Sequence, residues 1–200
     1  MTLSNLKQLE AIVKPAAHDI LVPGFGKLEY THKADGSIIT AADKAMQSHL
    51  VTELQKTWPD YAILGEEMTE EEQRAAMTNS AGYWCIDPLD GTNNYATGMP
   101  FFAVSIALIV NKQQVLGFIY DPLREEVFTA IKGEGAALNG NLLKCMPNKT
   151  EVDSVIAEID LKRLPKDLSI RLVNEEPFSS QRNIGSSALD WCWLAACRYN

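Results

Sequence analysis

The chain has 200 residues, 46% hydrophobic and 22% charged, with a formal net charge of −8. That composition belongs to a globular chain long enough to bury a core unaided, and it excludes disorder and a disulfide-stapled miniprotein. An acidic chain lacks the concentration of Lys and Arg that binding to a phosphate backbone requires, so no nucleic-acid partner is expected. Residues 1–10 carry Lys7 and Glu10 and no apolar run, which predicts no secretory signal. Cys85, Cys145, Cys192 and Cys197 form no Cys-x-x-Cys pair, and His18, His32 and His49 have no ligand spacing. Zinc is therefore not expected, and free thiols fit a cytoplasmic protein. The longest apolar run, Met99 to Val110, contains Pro100 and falls short of the about 18 residues that span a bilayer, so no membrane partner is expected.

Along the chain, Leu6, Leu9, Ile12, Val13, Ala16, Ile20 and Leu21 recur at three- and four-residue steps and predict a helix over 3–21 with a kink at Pro15. A polar loop with Lys33, Asp35 and Gly36 leads to Thr40, where Thr40-x-x-Asp43 reads as a capping box opening a second helix that Trp58-Pro59 ends. A short apolar run, Tyr61 to Leu64, precedes Gly65-Glu66-Glu67, and Thr69 then caps an acidic helix. Tyr83 to Ile86 reads as a strand delivering its end into a turn, Asp87-Pro88-Leu89-Asp90-Gly91-Thr92. Phe101 to Val110, Val115 to Tyr120 and Glu126 to Ile131 predict an antiparallel meander. Strands over 155–159 and 170–173 follow, and a last apolar helix opens at Gly185-Ser186-Ser187, with Trp191, Cys192 and Trp193 taken as core. The class is mixed α and β.

The chemistry gathers at carboxylates in loops or at element ends: Asp43, Glu66, Glu67, Asp87 and Asp90. Singly, each has a plain structural reading, Asp43 as a helix-start residue and Glu66-Glu67 as a solvated pair. Together they differ, because like charges about 5 Å apart cost roughly 3 kcal/mol per pair at an effective dielectric near 20 and must be neutralised. Asp87 and Asp90 flank a proline-stiffened turn whose Leu89 carbonyl adds a third oxygen, and an oxygen-only donor set selects hard cations such as Mg2+. Gly91 lets backbone approach a ligand closely and leaves the next N–H groups free for an anion, which points to a metal-bridged phosphate and a two-metal hydrolysis with Thr92 and Asp43 holding the water.

Lys33-x-Asp35-Gly36-Ser37-x-x-Thr40-x-x-Asp43, then Gly65-Glu66-Glu67, then Ile86-Asp87-Pro88-Leu89-Asp90-Gly91-Thr92-Asn93-Asn94-Tyr95 resemble, in order, the motifs of the inositol monophosphatase family, and Gly185-Ser186-Ser187-Ala188 is similar to its sugar-side loop. The resemblance implies an α+β fold, a layered α/β/α/β/α sandwich, and a magnesium-dependent, lithium-sensitive phosphatase that is a homodimer. It implies that Glu66, Asp87 and the Leu89 carbonyl hold one metal, that Asp87 and Asp90 share a second, and that Glu67 holds nearby water. Asp43 and Thr92 would orient the attacking water, the Gly91 and Thr92 amides would hold phosphate beside Asp90, and Ser187 would approach the alcohol part, without a phosphoenzyme. The family carries a further aspartate in a Trp-Asp motif beyond the Gly185 motif, and the sequence reaches Asn200 without it, so the fold is expected to be C-terminally incomplete. The expected division is a metal-binding α+β half over 1–145 and a partial α/β half over 146–200.

Substrate identity stays open among inositol or sugar monophosphates, fructose 1,6-bisphosphate, adenosine 3′,5′-bisphosphate and histidinol phosphate. A haloacid-dehalogenase mechanism is disfavoured because the spacing is Asp87-x-x-Asp90, and a calcium loop fails because position twelve from Asp87 is Gly98. The alternative from another class is a metal- and phosphate-binding module with weak or no turnover.

Overall fold

The computed structural model describes residues 2–27, 29–32, 38–66, 68–144 and 151–199. Helix α1 (Leu3–Ala16) buries Leu6, Leu9, Val13 and Ala16, the spacing of one helical face. Pro15 has no N–H to give the preceding turn, and beyond it the chain widens into a π-helical turn, Ala17–Leu21, and then tightens into a 3-10 turn, Val22–Gly24. Strands β1 (Thr31–His32) and β2 (Ile38–Ile39) form a two-residue antiparallel ladder that the sequence reading had as loop. Lys33, Asp35 and Gly36 lie outside the described residues.

Helix α2 (Ala41–Thr57) opens with the expected reciprocal cap between Thr40 and Asp43 and buries Met46, Leu50 and Leu54. Strand β3 (Ala62–Gly65) and helix α3 (Glu70–Met77) follow, the latter capped by Thr69 and Glu72. Strand β4 (Tyr83–Asp90) is longer than expected. Residues 87–90 were read as a turn, but they stay in the sheet, and the register against the next strand shifts between Asp87 and Asp90 to admit an extra residue. Helix α4 (Thr92–Thr97) follows at once and was not foreseen.

The meander is as expected: β5 (Ala103–Val110), β6 (Gln113–Asp121) and β7 (Glu126–Ile131), continued by β8 (Gly135–Leu138) and β9 (Asn141–Leu142). Strands β3 to β9 form one seven-stranded sheet in sequence order. Only its β3–β4 pair is parallel, and α3 lies in the crossover connection that a parallel pair needs. On one face, alternate residues Trp84, Ile86, Val104, Ile106, Leu116 and Phe118 form a core with α1 and α2.

Strand β10 (Ile156–Glu158), helix α5 (Lys166–Glu175), strand β11 (Ser180–Arg182) and helix α6 (Ser187–Ala195) complete the described elements, with β10 and β11 paired in parallel. Residues 170–173, expected as a strand, are helical. Leu168, Ser169 and Leu172 are the half-buried positions, whereas Ile170 and Val173 are 52% and 55% exposed, so helical spacing overrides the β-branched bias. Helix α6 packs on β5 and β6, with Leu189 and Cys192 buried outside the α1–α2 core. Helices therefore flank a mixed sheet in an α+β layered fold. Trp191, expected in the core, is 72% exposed, while Trp193 packs against Phe101 at 5.8 Å between ring centroids. The expected division at 145/146 falls on residues outside those described. Among the described residues no helix is long and apolar enough to cross a membrane.

Because Leu50 has no exposed surface, Leu50→Ala is expected to cost about 2–5 kcal/mol of folding stability. Urea unfolding checks this, with an unshifted midpoint as the contrary result.

Candidate active site

The local chemistry of β4 explains how its acids are presented. At the register shift the Leu89 N–H donates to Asp87 Oδ1 at 3.1 Å, so Asp87 caps its own turn. Leu89 itself is buried and anchors the bulge. Gly91 then takes φ +90, and a Cβ there would stand 2.7 Å from the Phe101 carbonyl oxygen and 3.3 Å from Phe102 Cα. Only glycine fits, and its conformation turns strand directly into helix.

Asp43 reaches the same place from the first turn of α2. Its Oδ2 accepts the Thr40 N–H at 2.7 Å and the Thr40 hydroxyl at 2.5 Å. The Thr92 hydroxyl lies 3.1 Å from Asp43 Oδ1 and 3.0 Å from the Leu89 carbonyl oxygen, and its single proton serves one of these acceptors at a time. Asp43 is only 4% exposed, and burial raises its pKa against the lowering action of the Thr40 and Thr92 hydrogen bonds. Asp90 has different partners: the Ser186 hydroxyl and, at 2.9 Å, the Ala188 N–H both donate to its Oδ2. Burial raises the Asp90 pKa, while these donors from the start of α6 oppose the rise.

Asp87 is less compensated than Asp43 or Asp90. Its pKa is pushed up to about 7, first by burial and then by repulsion from Asp90, Glu66 and Asp43, with the Leu89 amide acting the other way. Glu66, directly after β3, lines with Asp87 a concavity of about 360 Å3 that Cys85, Gln73 and Ser105 also border. Ser187 is exposed and lines a neighbouring cleft of about 410 Å3 with Glu158, Asp160, Arg163 and Asp190. The structure thus joins Asp43 to Thr92 directly, sets Glu66 and Asp87 in one concavity, and keeps Asp90 within electrostatic reach of both. Glu67 lies outside the described residues.

Three residues escaped the sequence reading as partners of the site. Ser186 holds Asp90. Asn94 ties the Gly91 turn to the segment before Gly185. Asp190, in the first turn of α6, has its pKa raised to about 7 by burial and by the nearby Glu158 and Asp90. A Ser N-cap was legible at 186, but no sequence signal names a partner 96 residues away.

Among the described residues no three His, Cys, Asp or Glu side chains are already closed around one point. The donor chemistry nonetheless fits a hard divalent cation: every candidate is an oxygen, and the repulsion that raises Asp87 is of the kind such a cation removes. The sign of the pH effect follows. A carboxyl raised to about 7 in the fold penalises the native state above that pH, and the penalty fades as pH falls toward its ordinary 3.8. Metal-free Asp87→Asn is therefore expected to melt a few degrees above the wild-type chain near pH 8 and to lose that advantage near pH 4. In addition, it should lose the rise in Tm that Mg2+ gives the wild type. Equal melting of the two chains at both pH values, with and without Mg2+, would contradict this.

Comparison with known proteins bears on the same residues. The chain is 36% identical over 176 residues to the Nus factor SuhB of Haemophilus influenzae, covering 86% of this chain and 64% of that protein. It is 33% identical over 165 residues to inositol monophosphatase 1 of Sus scrofa, covering 80% of this chain and 59% of that one. It thus spans less than two thirds of the length of these two relatives. Among solved structures, the extragenic suppressor protein SuhB of Bartonella henselae superposes with a TM-score of 0.84 at 30% identity, over 98% of this chain and 75% of that one. A family model described as the inositol monophosphatase family matches residues 5–199. That match takes in the capping box of α2, the bulged end of β4 and the start of α6 together, and the chain belongs to the inositol monophosphatase family.

Proposed function

We propose that this protein is a magnesium-dependent phosphomonoesterase that hydrolyses a small sugar or inositol phosphate by direct attack of water on phosphorus. The observation that carries the reading is the pairing of buried Asp43 with half-buried Thr92, 3.1 Å apart, beside the under-compensated Asp87. Glu66, Asp87, Asp90 and the Leu89 carbonyl would hold Mg2+, which supplies positive charge to acidify a water and to stabilise the leaving oxygen.

The residues of the chain do the rest. Thr92, with its hydroxyl proton engaged by Asp43, turns oxygen lone pairs toward the attacking water and orients it, and Asp43 is the acceptor through which that proton is drawn off. Glu67 would hold a second water nearby. The Gly91 and Thr92 amides, at the start of α4, would donate to the phosphate oxygens. Ser187, exposed in its cleft, meets the alcohol part. The water oxygen bonds to phosphorus as the ester oxygen leaves and takes up a proton, giving an alcohol and inorganic phosphate with no phosphoenzyme. We read the chain as a homodimer, as the family resemblance implies, and as cytoplasmic, in keeping with the free thiols Cys85, Cys192 and Cys197.

A second reading, a metal- and phosphate-binding chain with little turnover, draws on the partial span of its relatives, 64% and 59% of their lengths. Phosphate release from inositol, sugar, nucleotide and histidinol phosphates separates the two. The first reading expects release that stops on chelation of Mg2+ and falls about 100-fold or more in Asp43→Asn. Metal-dependent phosphate binding without release from any ester would favour the second.

A further inference from the structure

We infer that Asn94 is a positioning residue that sets the spacing between the phosphate side and the alcohol side of the site; the inference rests on the phosphatase reading above. Asn94 lies on α4, two residues past Thr92, and is 7% exposed. Its Nδ2 donates to two backbone carbonyls, that of Phe101 at 2.7 Å and that of Ile184 at 2.6 Å. A carboxamide nitrogen carries two protons, so both are committed, one to each segment.

The backbones held this way have no slack. A Cβ on Gly91 would stand 2.7 Å from the Phe101 oxygen and 3.4 Å from the Gly185 oxygen, and a Cβ on Gly185 would stand 3.2 Å from Asn94 Nδ2. Both glycines sit at positive φ, +90 and +73. The start of α4, the stretch just before β5 and, 90 residues further on, the Ile184–Gly185 segment thus meet around one side chain. Phe101 is fixed on its other side as well, with its ring against Trp193 of α6 and the Arg124 guanidinium 5.0 Å from the Phe101 ring and 5.1 Å from the Trp193 ring.

With the Ile184 carbonyl pinned, the next residues are delivered in register. Ser186 and the Ala188 N–H reach Asp90, and Ser187 faces the cleft. Asn94 lines neither that cleft nor the Glu66–Asp87 concavity. Its effect therefore passes through the 184–188 segment, which carries both Ser187 on the alcohol side and the donors that hold Asp90 on the phosphate side. Asn94→Asp would set a carboxylate oxygen where a donor is needed, against at least one carbonyl.

The test uses Asn94→Ala and, as a milder change that keeps one donor, Asn94→Ser. Hydrogen exchange over 184–189 is expected to speed up about tenfold or more in Asn94→Ala and less in Asn94→Ser, with α2 and β4 unchanged. In turnover, KM for an inositol or sugar monophosphate should rise about tenfold in Asn94→Ala, and Asn94→Ser should recover part of the loss. Unchanged loop exchange, or an unchanged KM in Asn94→Ala, would overturn the inference. A wild-type chain that releases phosphate from no ester overturns the phosphatase reading and the substrate part of this inference, while the exchange measurement still decides whether Asn94 holds the loop.

Discussion

Acids of one sign brought to a single half-buried strand end are the constraint around which this protein is organised. Asp87 and Asp90 leave β4 within reach of Glu66 and Asp43, and each like-charged neighbour raises the cost of ionising the others. The fold answers case by case. Asp43 doubles as the capping residue of α2, so the Thr40 amide and hydroxyl stabilise its charge. Asp90 is met by the opening residues of α6. Asp87 accepts a hydrogen bond from the Leu89 amide, which does not offset burial and repulsion, and its pKa climbs to about 7. A cation is the neutraliser that suits that last position at neutral pH, because it offsets the repulsion without consuming the negative charge.

The larger architecture serves this arrangement. The α1–α2 core packs on one face of the sheet and fixes the start of α2, hence Asp43, over the end of β4. The register shift lets β4 carry both acids to its end while Pro88 and Leu89 stay buried, and Gly91 permits a strand-to-helix turn too close to the Phe101 backbone for any side chain. On the other side, α6 is secured by the stack of Phe101, Arg124 and Trp193 and by the Arg198–Glu126 pair. Strain and close packing sit where a ligand would need preorganised groups, and ordinary core packing holds the frame.

What was legible in the sequence was local or strongly periodic. The α1 stripe, the Thr40–Asp43 cap and the meander from 103 to 131 each carry their signal within a few residues, and the structure follows them. Where tertiary context decides, the reading failed. Asp87-Pro88-Leu89-Asp90 has turn chemistry, yet pairing with β5 keeps it in the sheet. Thr92-Asn93-Asn94-Tyr95 has poor helix propensity, and α4 is tied down instead by the Tyr95 hydroxyl on the Leu21 carbonyl at 2.7 Å and by Asn94. Strand β11 is polar, Ser180-Gln181-Arg182, and has no alternation to betray it. The site residues emerged from motif order, whereas Ser186 and Asn94 depend on contacts 96 and 90 residues apart that no local pattern encodes.

The most direct measurement is calorimetric titration of the folded chain with Mg2+ near pH 7 in buffers of different ionisation enthalpy. A group titrating at about 7 must shed part of a proton when a cation displaces it. Saturable binding is expected, with a heat that varies with the buffer in the sense of proton release, and no such binding in Asp87→Asn. Absence of saturable binding by the folded wild type, or binding that releases no proton and survives Asp87→Asn, would contradict it.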